Sequence, residues 1–131
     1  MKIKKILPIL LPPIIVLTIN YTFIYIYSIW ESFDVLMHTL GGIAITISVI
    51  QAKKVFKIQK ETWWYHALTT IALVTLAATI WEFYEFIMDY IDLSRGIIFN
   101  RQPSVADTMD DYKNAILGSI ATLAIYRNKK S

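Results

Sequence analysis

The chain has 131 residues, 56% of them hydrophobic and only 18% charged, with a net charge of +3 and no cysteine. Soluble domains lie nearer roughly 45–50% apolar and about 25% charged, so the composition argues for a membrane protein. Missing cysteine excludes disulfides, thiolate nucleophiles and zinc–thiolate centres, and no basic stripe of the kind that grips nucleic acid is visible.

The length allows one integral membrane domain over 1–131, or about four spanning helices of roughly 20 residues. The first is expected over about 6–27, after the basic start Lys2, Lys4 and Lys5. A signal peptide starts the same way, but its apolar region is usually about 7–15 residues and ends in a small-residue cleavage site. This run is longer and ends in Tyr25, Tyr27 and Trp30, an aromatic belt. It reads as an uncleaved span, kinked or started by Pro8, Pro12 and Pro13. The second helix is expected over 34–52, the third over 63–88 and the fourth over 106–126, with 89–105 as a polar connection.

Basic residues mark one side. Lys2, Lys4 and Lys5, then Lys53, Lys54, Lys57 and Lys60, then Arg127, Lys129 and Lys130 fall together if there are four spans. The opposite loops hold Glu31, Asp34, Asp89 and Asp92, with Arg95 and Arg101. The positive-inside rule then places both termini in the cytoplasm. The expected fold is therefore an all-α, four-helix transmembrane bundle in the cell membrane.

Polar residues inside those helices carry the functional reading. Asp107, Asp110, Asp111 and Asn114 stand at i, i+3, i+4 and i+7, on one helical face. Asp34 and His38 are four apart at the start of the second helix, and Glu82 and Glu85 three apart near the end of the third. Each helix thus brings its unusual residues to within roughly 15 Å of the outer boundary. Acids at membrane depth are costly and functional by default, and so many like charges need a remedy: a metal ion, Arg95 or Arg101 folded over the mouth, or protonated carboxyls. Carboxylates, an amide and an imidazole favour Mg²⁺, Mn²⁺, Ca²⁺ or non-haem iron. Gly41 and Gly42 below His38, and Gly118 below Asn114, would let the second and fourth helices touch beneath the site.

Plainer readings stand beside these. Asp34 reads equally as a helix N-cap, as does Asp107 with Ser104 as rival. His38 reads also as an interior histidine bonded to Asp34, Asp89 and Asp92 as solvated loop acids, and His66 as a belt residue beside Trp63, Trp64 and Tyr65. Asn20 reads as an interhelical hydrogen-bonder, and Lys113 lies off the acidic face.

Asp34-x-x-x-His38 with Gly41-Gly42, Trp81-Glu82-x-x-Glu85, and Asp107-Thr108-Met109-x-Asp111 with Asn114 and Gly118 resemble the VanZ-like group of small membrane proteins. They are closer still to the YjdF-like inner-membrane proteins. The VanZ-like pattern has a Gln where Glu85 stands and an Arg nearer the last Asp than Arg101. The VanZ-like resemblance implies cell-envelope or lipid chemistry; neither family brings an established reaction.

The expected site therefore has Glu82, Glu85, Asp107, Asp110 and Asp111 as metal ligands, and His38, Asp34 and Glu82 as catalytic groups. Arg101 and Asn114 would meet a lipid-headgroup or polyprenyl-phosphate substrate. A second reading is a cation- or proton-binding transport protein, for which four helices imply a homo-oligomer. A third is a structural or regulatory membrane partner.

Overall fold

A computed structural model of the chain describes residues 3–23, 26, 30, 32–58, 61–97, 101 and 103–128. Four helices follow in order: α1 (Ile3–Thr22), α2 (Ser32–Val55), α3 (Trp63–Ser94) and α4 (Val105–Asn128). The expected aromatic end of the first helix at Tyr25 and Tyr27 lies outside the described residues, as do Lys2, Glu31, Lys60, Lys129 and Lys130. Among the described residues, α1, α2 and α3 are long and apolar enough to cross a membrane. The fourth helix matches α2 in length but carries Asp107, Asp110, Asp111 and Lys113 in its first turns.

Local signals explain the helix ends. Thr62 caps α3, its hydroxyl accepting a hydrogen bond from the Tyr65 amide. Ser104 caps α4 in the same way through the Asp107 amide, so the rival cap wins and Asp107 sits inside the first turn. Asp34 is likewise inside the first turn of α2, which begins at Ser32; neither acid is a cap. Gly96, with φ of +75°, supplies the left-handed residue that ends α3.

The largest departure from expectation is the end of α3. It runs on through Asp89 and Asp92 to Ser94. Glu82, Glu85, Asp89 and Asp92 stand at i, i+3, i+7 and i+10, so one acidic face continues where a loop was expected. Pro8, Pro12 and Pro13 lie inside α1 without ending it.

The burial pattern is that of a bundle in lipid. Large apolar side chains such as Leu76, Phe83 and Phe86 face outward, whereas Thr46, Thr70 and Ser119 are fully buried. Helices in a bilayer gain little from hiding leucine and associate instead through small residues and hydrogen bonds. The Thr46 hydroxyl accordingly donates to Ser119 Oγ at 2.8 Å, joining α2 to α4. These two helices form the closest pair in the bundle, while α1 leans mainly on α2.

Candidate functional site

Two glycines bring α2 and α4 together. A Cβ on Gly42 would run into the Ala115 backbone, and one on Gly118 into the Thr39 carbonyl. Backbone thus touches backbone one turn below His38, and the two polar stripes above must meet.

They meet at one ring nitrogen. His38 Nε2 lies 3.4 Å from Asp34 Oδ1, 3.6 Å from Asp111 Oδ1 and 4.0 Å from Glu82 Oε1. The carboxylates come from α2, α4 and α3 respectively. A neutral imidazole nitrogen carries at most one proton to donate, so three acids around it exceed what one N–H can serve. Two sets of donor atoms, Asp34–His38–Asp111 and His38–Glu82–Glu85, each fall within 4.8 Å of one another. Bonds from an ion to nitrogen or oxygen run roughly 2.0–2.6 Å, so either set can close on one cation. His38, Glu82, Glu85 and Asp111 are all buried.

The remaining expected residues divide. Asn114 is buried on α4 beyond Asp111, and Asp107 is half-buried one turn before it. Asp110 does not join the cluster: it is exposed and pairs with Lys113. As the chain neighbour of Asp111 it is turned about 100° around the helix, which takes it off the stripe. Exposed pairs of this kind contribute little.

Arg101 is also placed elsewhere than expected. Its guanidinium holds Asp89 Oδ1 and Asp92 Oδ2, each at 2.8 Å, and its amide donates to Asp89 Oδ2 at 2.8 Å. Burial alone would lower the guanidinium pKa, but the hydrogen bonds and charges of Asp89 and Asp92 outweigh it and raise it above its ordinary value. Asp89 and Asp92 are therefore not solvated loop acids, and Asp92 is buried. Arg101 ties the connection down onto α3 instead of closing the His38 cluster, and Arg95 is exposed.

A second polar cluster stands at the other end of the bundle. Lys53 Nζ contacts Glu61 Oε1 at 2.9 Å, His66 Nδ1 at 2.9 Å and Thr69 Oγ1 at 2.9 Å. Glu61 Oε1 also lies 2.9 Å from His66 Nδ1. Burial pushes the Glu61 carboxyl up, but hydrogen bonds and charge from Lys53 and His66 prevail, leaving it below its ordinary value. The His66 ring packs against Trp63 and Tyr126, at centroid distances of 5.7 and 5.8 Å. His66 is buried and joins α2, α3 and α4, which corrects its reading as a belt residue. The sequence signal was faint: one acid, Glu61, among lysines, with its partners on two different helices.

Neither the curated proteins nor the solved structures gave a match to this chain. A family model does match, and it is the family that the YjdF-like resemblance indicated. Matched over residues 2–130, the chain belongs to the family described as predicted membrane protein (DUF2238).

Proposed function

We propose that the protein binds a divalent cation among His38, Asp34, Glu82, Glu85 and Asp111 and uses it on the phosphoester headgroup of an envelope lipid. The observation that carries this is the convergence of carboxylates from three helices on His38 Nε2. A metal there would neutralise a buried set of like charges. It would also polarise a phosphoryl oxygen and lower the pKa of a bound water, which would then serve as the nucleophile.

Two roles change in this reading. Asp34, Asp111 and Glu82 all stand within 4.0 Å of the same ring nitrogen. Asp34 is therefore not a positioner that holds one nitrogen while the other moves protons, and His38 serves as a ligand. Arg101 is engaged by Asp89 and Asp92, so the cation, not an arginine, meets the phosphate.

In this reading α4 is a fourth span, with Asp111 buried against α2 and α3 and Asp110 paired with Lys113 at the exposed outer end. Both termini are cytoplasmic and the His38 end faces outward. Lys53, Lys54, Lys57 and Arg127 at the opposite end support that orientation. The VanZ-like resemblance agrees with envelope-lipid chemistry.

The test is turnover of synthetic phospholipids by nanodisc-reconstituted protein loaded with Mg²⁺ or Mn²⁺, with headgroup products read by mass spectrometry. Product that disappears with chelator and in Asp111→Asn supports the proposal. Metal-loaded, folded protein that converts no lipid phosphoester contradicts it.

A further inference from the structure

Beneath the His38 site lies a cavity of about 170 Å³ walled by α1, α2 and α3, with Ala115 of α4 at its back. Asn20, His38 and Trp81 stand at one end, Pro13, Ile45 and Val74 at the other. Asn20 stands seven positions after Pro13 on α1, so the cavity extends roughly 10 Å along the helices. Only its His38 end is polar.

Two walls meet loosely. The first helix packs on α2 and scarcely on α3; the hydrogen bond from Tyr21 to Tyr84, at 2.7 Å, joins α1 to α3 above the cavity. Below that bond Leu17 of α1 both lines the cavity and is exposed, so the seam between α1 and α3 opens to the surroundings of the bundle. All three helices are long and apolar enough to span a membrane, so those surroundings are hydrocarbon chains.

The sequence keeps the space open. Gly42 is required by the close approach of α4, but Gly41, which lines the cavity, is not: a Cβ there would meet nothing within 4 Å. Ala77 lines it from α3 with a single methyl group. Apolar cavities of this size stay dry and accept hydrocarbon; an engineered one of about 150 Å³ takes up benzene, roughly six carbons.

We propose that this cavity is a slot for part of a membrane phospholipid's acyl chain, entered between α1 and α3, which presents the lipid head to the His38 site. The inference deepens the reading of that site as one that acts on lipids. The chain's tail leaves through the seam into the bilayer, and the ester end lies beside Asn20 and His38. A lipid held this way has its headgroup positioned by the slot, so the site needs no arginine to orient it.

The probe is phosphatidylethanolamine carrying a diazirine midway along one acyl chain, mixed into nanodiscs with the whole protein, irradiated, and mapped by peptide mass spectrometry. Adducts should concentrate on Val16 and Ala77, above those on the outward-facing Leu76 and Phe83. Gly41→Leu should abolish the slot adducts and leave those on Leu76 and Phe83 unchanged, which also shows that the variant is folded. Ala77→Leu fills the slot from the other wall and should abolish the Val16 adducts. Slot adducts no stronger than those on Leu76, or untouched by both substitutions, would overturn the proposal. Asp111→Asn separates the two readings: it should lose the cation yet keep the slot adducts. Failure of the cation site therefore leaves the slot standing, and an unlabelled slot leaves the cation site standing.

Discussion

Gly42 has no side chain because the backbone of Ala115 stands where its Cβ would be. This contact sets the distance between α2 and α4, and with it the meeting of His38 and Asp111 one turn above. Gly42→Ala cannot be relieved by a rotamer change, since the obstacle is backbone. Overpacking typically costs about 1–3 kcal/mol, and Gly42→Ala should lie at the upper end of that range or beyond. Gly41→Ala meets nothing and replaces a poor helix former, a gain of up to about 1 kcal/mol. Thermal melts in detergent should therefore move in opposite directions for these adjacent glycines. Similar losses from both would contradict the packing described.

Thr46 and Ser119 lie in the same interface. Their hydrogen bond is fully buried, but the Thr46 hydroxyl also reaches the Gly42 carbonyl. Interhelical hydrogen bonds in membranes average about 0.6 kcal/mol by double-mutant cycle. The Thr46→Val, Ser119→Ala cycle should return a coupling of that order. A coupling near zero would mean that close backbone packing alone holds the pair.

At the opposite end, the Glu61 carboxyl lies below its ordinary pKa of 4.5. A depressed folded pKa stabilises the folded protein above the unfolded value. That contribution is lost as pH falls through the folded value. Melting temperature should therefore hold steady down to about pH 4.5 and fall below it as far as Glu61 is concerned. Glu61→Gln should lower the plateau and flatten its share of the acid limb; an unchanged curve would show that Lys53 and His66 do not depend on it.

Arg101 holds Asp89 and Asp92 with a two-pronged contact that lysine cannot copy. Removing a partner from charged hydrogen bonds typically costs about 1.5–3 kcal/mol. Arg101→Ala should free the connection between α3 and α4 and speed its proteolysis, with Arg101→Lys restoring little. The cation binding proposed at His38 should survive both changes, because Arg101 lies outside that cluster.

Much of the His38 site was legible in the sequence because a bilayer makes acids conspicuous: Glu82 and Glu85 inside an apolar helix have few innocent explanations. Helical periodicity then aligned Asp34 with His38, and Asp107 with Asp111 and Asn114. Periodicity is too coarse for Asp110, which falls just off that stripe and is turned outward with Lys113. The same periodicity runs on through Asp89 and Asp92, where the acidic face of α3 continues for two more turns. The Lys53–Glu61–His66 cluster left no pattern, because its partners come from two helices and a loop. Nor could periodicity reveal the cavity, since a space is defined by what Gly41 and Ala77 lack.

The acids around His38 are proposed to hold a divalent ion. Elemental analysis by mass spectrometry of protein purified in mild detergent without chelator tests this directly, beside Glu82→Gln and Asp111→Asn. A content near one divalent ion per chain in the native protein, absent from both folded variants, is the predicted result. Equal trace metal in all three proteins would contradict the claim.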